Sequence, residues 1–228
     1  MPDPLHRNRH GQVWLNVASA HEVLPEYANL DNSIFYRLVP LLPLLRSVLA
    51  RRHVETVEQY RAAARRASVL LHDCRRRLPY APGSVDHILC SHFLEHVYPD
   101  EADVILADFH RVLRPGGTLH VIVPSLSVIA REYVDGRANA DVFLDATILS
   151  SSRKPSWTFK TLELLGYDGL KHRWMYDEVS IQARVLAAGF EPMSLSALPS
   201  RDVRAEDGPR SIHVAARKAP LGNSSPPS

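Results

Sequence analysis

Cysteine is scarce in this chain: Cys74 and Cys90 are the only two among 228 residues. Two thiols exclude a disulfide scaffold and a four-thiolate zinc site. Both sit at the ends of apolar runs, where a buried free thiol is commonplace. Charge of one sign is lacking too, since Lys+Arg 27 against Asp+Glu 25 leaves a formal net charge of +2. That balance argues against a large nucleic-acid footprint. The locally basic stretch Arg61 to Arg77 reads as a solvated helix face followed by a turn. Long hydrophobic runs are missing as well. The most apolar stretch, Ile34 to Leu49, is broken by Arg37, Pro40, Pro43 and Arg46, so it does not span a bilayer. Met1 to Gly11 are polar and hold no apolar h-region, so no secretory signal is expected and a cytoplasmic protein is the default reading.

What is present is an ordinary supply of core-forming residues, 45% hydrophobic against 23% charged. The length suits one α/β domain better than two. Short β-type runs alternate with longer helical patterns, which predicts a parallel sheet covered on both faces. The runs are Val13 to Ala18, Tyr27 to Leu30 (ending at Asp31) after a very short connection, Ser68 to His72, Val85 to Cys90 and Thr118 to Val123. Two more follow, Pro192 to Leu198 and Ser211 to Arg217. Residues 34–67 read as helix in two pieces, broken around Pro40 and Pro43. Asp100 to Leu113 has helical spacing and stops at Arg114-Pro115-Gly116-Gly117. Asp177 caps a helix that ends at Gly189. The expected fold class is α/β, a doubly wound, mostly parallel seven-stranded sheet with helices on both faces and a helical insertion after strand five. One domain is expected over residues 1–217, its insertion at 125–175, with a disordered Pro/Ser-rich tail at 218–228.

In open parallel sheets, ligands bind beyond the carboxyl ends of the strands, where the strand order reverses. Polar residues end four successive runs here: Asn16 to Ser19, Asp31, Asp73, and Ser91 with His92. An acid after the second strand can accept from two ribose hydroxyls, and one after the third from an adenine amino group. Each alone is weak, because turns are rich in Asp. Four in order along one edge are more informative.

The block His72-Asp73-Cys74, Leu78-Pro79-Tyr80, Gly83-Ser84-Val85-Asp86, Ser91 to Val97 and Arg111 to Gly117 resembles the class I S-adenosylmethionine-dependent methyltransferases. Their pattern there is an aspartate, "LPF", "GSFD", "LEH" and "RVLRPGG". Leu15 to Ala20 and Leu24 to Asn32 are similar to the "LNLGSG…LPGYINVDN" start of one subgroup, and His172 to Asp177 with Ala188 to Phe190 to its "HRWMYD…AGF" end. The resemblance implies S-adenosylmethionine as cofactor, held by Asn16, Ala18, Ser19, Ala20, Asp31, Asp73, Cys74, Ser91 and His92. It departs at the loop, where Ala18 and Ala20 replace a Gly-x-Gly. Glycine permits positive φ and close approach to a ligand, so each methyl leaves less room. That departure keeps a second reading open, a non-catalytic methyltransferase-like binding or scaffold module with impaired cofactor binding.

His92-Phe93-Leu94-Glu95-His96 also fits the inverted zinc-peptidase signature H-x-x-E-H. It lies inside the longer block, directly after a strand, with no downstream acidic ligand singled out, and is read as coincidence. No metal is expected. The bland reading of His96 is a hydrogen bond to the turn Arg114 to Gly117. Methyl transfer from a sulfonium is an in-line displacement, so the protein chiefly aligns donor and acceptor. A hydroxyl acceptor also benefits from a base, and His172 and then His96 are the candidates.

The resemblance puts acceptor binding in the middle segment. Arg131, Tyr133, Arg153, Trp157, Lys160, His172, Arg173 and Trp174 supply groups that stack on a ring or pair with an anion, or simply rim a packed cover. An oxygen on a sugar, glycan or small secondary metabolite is the expected acceptor. The absence of an "NPPY"-like tetrapeptide argues against nucleobase amino groups. The apolar stretch 34–49 fits three roles: a core helix, a lid over the site, or a surface for peripheral lipid or a partner subunit. The lid is favoured, because this connection borders the carboxyl edge of the sheet.

Overall fold

The strands are β1 (Trp14–Val17), β2 (Ala28–Asp31), β3 (Val69–Leu71), β4 (Val85–Ser91), β5 (Leu113–Pro124), β6 (Phe190–Pro192) and β7 (Ser211–Lys218), and all but β6 fall on expected runs. The structure, a computed structural model, describes residues 6–45, 51–148, 171–199 and 208–220. The strands make one sheet in the order β3-β2-β1-β4-β5-β7-β6. All neighbours are parallel except β7, which runs antiparallel to both β5 and β6.

Between them lie α1 (Ile34–Leu38), α2 (Leu42–Leu45), α3 (Arg51–Arg66), α4 (Pro99–Val112), α5 (Leu126–Val134), α6 (Ala140–Thr147) and α7 (Glu178–Ala187). Local chemistry sets their ends. Pro99 opens α4, where a missing N–H costs nothing, and Glu101 reaches back to accept from the Tyr98 amide at 2.9 Å. Asp177 accepts from the Ser180 amide at 2.7 Å, and Gly189 leaves α7 at φ 92°.

Leu15, Val17, Ile88, Cys90, Leu119 and Val121 share one buried cluster with Ile105 and Phe109 of α4 and Ile181 and Val185 of α7. Each fully buried side chain of this size stabilises by about 1.5–3 kcal/mol. Val57, Tyr60 and Ala63 of α3 make a second cluster with Phe35, Tyr36 and Leu42. Leu70 packs against the first cluster and Val69 against the second. Successive strand residues point to opposite faces, so α3 and α4 cover opposite sides of the sheet. The doubly wound expectation holds.

Two boundaries differ from the sequence reading. The strand expected at Thr118 begins at Leu113, because Leu113 pairs with Val85 across a register shift before Thr118 pairs with His87. The glycines build this irregularity rather than ending the element: Gly116 has φ 75°, and a Cβ on Gly117 would lie 2.9 Å from the Arg114 carbonyl. Pro192 to Leu198 is not a strand. Pairing stops at Pro192, the Ser194 hydroxyl accepts from the Ser196 amide at 3.3 Å, and Leu195–Ala197 coil into a 3-10 turn. Within the apolar stretch, Phe35, Tyr36 and Leu42 are buried while Leu41 and Leu44 are exposed. Its described part is therefore core on one side and open on the other. Residues 46–50, the central part of the insertion (149–170) and the tail from residue 221 lie outside the described residues. Among those described, no helix is long and apolar enough to cross a membrane.

Candidate active site

Sheet order reverses between β1 and β4, so their adjacent carboxyl ends, Val17 and Ser91, border the crevice where open α/β sheets bind ligands. Four non-glycine residues among those described have positive φ: Ala18 at 53°, Ala20 at 45°, His92 at 52° and Ile148 at 51°. The first three stand at this crevice. A left-handed L-residue costs about 1–2 kcal/mol, and such strain persists only where its surroundings enforce it. The alanines therefore keep the backbone path that glycines would take at lower cost.

What enforces it is side-chain anchoring. Residues 18–27 join two adjacent parallel strands without a helix, so the loop lacks helical hydrogen bonds of its own. Asp31 Oδ2 accepts from the Ala20 amide at 2.8 Å, and its Oδ1 accepts from the Ser33 amide at 2.6 Å. The Tyr36 hydroxyl donates to the Ala20 carbonyl at 2.5 Å. Asn16 donates to the Glu22 carbonyl at 2.9 Å and to Asn29 Oδ1 at 3.0 Å, while Arg66 reaches the Val23 carbonyl at 3.2 Å. Burial raises the Asp31 carboxyl above its ordinary range, against the lowering effect of the two amides. Burial, then the charge of Asp31, pushes the Tyr36 phenol up, so it stays a donor. Ala18→Gly and Ala20→Gly are each expected to stabilise the fold by about 0.5–1 kcal/mol, the relieved strain less glycine's chain entropy. Urea denaturation checks this; destabilisation by both would mean that the loop is not strained.

The sequence candidates divide. Ala18, Ser19, Ala20, Asp31, Ser91 and His92 converge on the crevice by their places at the strand ends. Asn16 does not, because its amide is spent inside the loop anchor. Asp73 faces Arg75 in a two-pronged ion pair at 3.0 and 3.1 Å. Burial raises its carboxyl, but the Arg75 hydrogen bonds and charge outweigh that and hold it below its ordinary value. Cys74 is buried, its Sγ 3.7 Å from the His72 carbonyl, and burial pushes its thiol up to about 12.

A second group lies where β4 gives way to the turn Leu94–His96. His92 Nδ1 meets Glu95 Oε1 at 3.2 Å, and Glu95 is fully buried. His96 and His172 pack edge to face with ring centroids 5.0 Å apart. His96 does not reach the Arg114–Gly117 turn. Its Nδ1 instead pairs with the Lys171 carbonyl at 3.1 Å, because the Arg173 and Trp174 amides dock that segment on the Glu95 carbonyl. Burial lowers the basicity of His172, with Glu95 opposing the shift.

Tyr36, Asn29 and Glu95 were not candidates from sequence. Glu95 sits in the H-x-x-E-H motif and in the Leu94-Glu95-His96 match, the two signals that could have found it. Of the middle-segment groups, Tyr133 stacks on Phe143 at 5.2 Å, and Arg173 lies 5.3 Å over the Tyr98 ring. Trp174 is exposed, while Arg153, Trp157 and Lys160 lie outside the described residues.

Residues 46–121 match the protein family described as a methyltransferase domain. No curated protein matches the chain. Among solved structures, it is similar to an S-adenosylmethionine-dependent methyltransferase from Methanosarcina mazei, with TM-score 0.50, 14% identity, and 91% of this chain and 92% of that one covered. It is also similar to 1,6-didemethyltoxoflavin-N1-methyltransferase from Burkholderia thailandensis, whose structure holds its substrate and S-adenosylhomocysteine (TM-score 0.46, 16% identity, coverage 94% and 73%). A third is a methyltransferase from Archaeoglobus fulgidus (TM-score 0.47, 12% identity, coverage 91% and 86%). The fold is that of the S-adenosylmethionine-dependent methyltransferases.

Proposed function

We propose that this chain transfers a methyl group from S-adenosylmethionine to a hydroxyl of a sugar, a glycan or a small secondary metabolite. The observation that carries this reading is the strain at the switch point, where Ala18, Ala20 and His92 are held left-handed around the ends of β1 and β4. The family match over residues 46–121 supports it. The likeness of Leu15 to Ala20 and of Leu24 to Asn32 to the start of one subgroup supports this choice of acceptor.

The residues present fit the cofactor. The loop keeps the path of a glycine loop, and each Asp31 oxygen accepts one amide, leaving further lone pairs for ribose hydroxyls. Ser91 Oγ is buried at the end of β4 without a hydrogen-bond partner, and a ligand there would satisfy it. When bound, the cofactor supplies a methyl group on a positively charged sulfur. Asp31 then fixes the ribose, the loop sets the depth of the ligand, and Tyr36 roofs the loop from the apolar stretch, which acts as its lid. The cluster of His92, Glu95, His96 and His172 faces the acceptor side and takes the hydroxyl proton as the new O–C bond forms.

A second reading, binding without catalysis, draws on one observation: both Asp73 oxygens are already paired with Arg75, so an adenine amino group would have to share or displace that pair. Incubation with methyl-labelled S-adenosylmethionine and a panel of glycans and hydroxylated metabolites separates the two. Label is expected in a base-stable methyl ether. Cofactor binding with no label in any acceptor would favour the second reading, and label on nitrogen would overturn the choice of hydroxyl.

A further inference from the structure

The turn after β4 and the segment before α7 bring together three metal-ligating side chains. Glu95, His96 and His172 each offer one ligand atom, and these atoms lie within 4.8 Å of one another. Glu95 has zero exposure, and its Oε2 has no hydrogen-bond partner, although Oε1 pairs with His92 Nδ1 at 3.2 Å. An ionisable oxygen left alone in the interior is costly unless a cation or a donor meets it. His96 shows the complementary preparation. Donation from its Nδ1–H to the Lys171 carbonyl at 3.1 Å fixes the tautomer and leaves Nε2 with a lone pair, the way backbone carbonyls orient metal-bound imidazoles. The two ligand-bearing segments are also clamped. Arg173 and Trp174 amides donate to the Glu95 carbonyl at 2.7 and 3.1 Å, and the His172 amide donates to the Ile148 carbonyl at 3.1 Å.

We propose that Glu95, His96 and His172 bind a divalent transition-metal ion of the zinc type. Two imidazoles with one carboxylate form the ligand set of open zinc sites, which keep a fourth position for water or substrate. Bonds of about 2.0–2.2 Å put tetrahedral ligands roughly 3.4 Å apart, so the cluster closes by up to about 1.4 Å when the ion enters. Rotation of the Glu95 carboxylate and of the His172 ring, now against Met175 Sδ at 3.2 Å, supplies that closure. The arrangement revises the sequence expectation of no metal. It uses only the Glu95-His96 half of H-x-x-E-H and takes its third ligand, His172, from the far end of the insertion, while His92 remains the hydrogen-bond partner of Glu95.

Ion binding stands on this geometry alone; its part in catalysis rests on the methyl-transfer reading above. There, the open position receives the acceptor hydroxyl and lowers its pKa. His92 takes the proton, the O–C bond forms, and the C–S bond breaks to leave neutral S-adenosylhomocysteine. His96 and His172 then act as ligands rather than bases.

The test uses the full chain, stripped with EDTA, titrated calorimetrically with zinc chloride and assayed for metal after dialysis. One zinc per chain is expected to remain. Glu95→Gln and His172→Ala should each weaken binding by at least about tenfold, with His96→Asn as a further variant should His172→Ala lose its helical circular dichroism. S-adenosylhomocysteine titrated into the same variants should bind as in wild type, which separates failure of the metal site from failure of the methyltransferase reading. Absence of retained zinc in wild type, or equal retention in the variants through exposed histidines, would overturn the proposal.

Discussion

Between pH 7 and pH 5 the protein is expected to lose about 4 kcal/mol of stability, a large share of the roughly 5–15 kcal/mol of a typical domain. The cause is a pair of histidines buried on the sheet. His87 and His120 are 1% and 2% exposed. Burial lowers the pKa of His87 to about 3, with His120 adding to the effect, and lowers that of His120 to about 4, with His213 adding. His87 is walled by Trp14 and Tyr27 and pairs with the Thr118 hydroxyl at 2.7 Å, while His120 meets His213 at 3.2 Å. In the unfolded chain both would titrate near 6.5. Their folded values are depressed, so the native state is fully favoured above pH 6.5. Each site then loses about 1.4 kcal/mol for every pH unit below that value, until its own folded pKa is reached. Urea unfolding at pH 7.5, 6 and 5 measures the slope, and His87→Gln should remove about half of it. A stability unchanged from pH 7 to 5 would show that these rings are already protonated or relaxed.

Asp31→Ala is expected to weaken binding of S-adenosylhomocysteine by at least about 100-fold. Two hydrogen bonds from ribose to a buried carboxylate are each worth about 1.5–3 kcal/mol, and about 1.4 kcal/mol is tenfold. The variant also frees the Ala20 and Ser33 amides. Ala20 would then relax out of the left-handed region, since the Tyr36 hydroxyl holds only its carbonyl. Circular dichroism guards against simple unfolding, and Asp31→Asn gives a second measure, because its amide nitrogen must face one of those two N–H groups. Affinity unchanged in both folded variants would remove Asp31 from the site.

The sheet was legible because buried parallel strands are short apolar runs with abrupt polar ends, and Asp31 stood out as the acid closing one of them. The ends of α7 were legible because Asp177 and Gly189 each act within a turn of themselves. What could not be read depends on distant partners. An alanine carries no sign of positive φ, and only the Asp31 and Tyr36 contacts reveal why Ala20 adopts it. Asn16 looked like a ligand contact because it ends a strand, yet its amide is claimed by Glu22 and Asn29. His96 was assigned to the nearer Arg114–Gly117 turn, whereas its partner, Lys171, lies 75 positions away. The metal-ligating trio was hidden for the same reason, two ligands being adjacent and the third arriving from across the insertion.

The central claim is that the strained edge between β1 and β4 binds the cofactor. A crystal structure of the chain grown with saturating S-adenosylhomocysteine tests it most directly. The account predicts the ligand over Ala18–Ala20, its ribose hydroxyls within hydrogen-bond reach of Asp31 and its sulfur turned toward His92. Ligand density elsewhere on the molecule, or crystals in which Asp31 keeps only its two amide partners and no ligand lies at this edge, would contradict it.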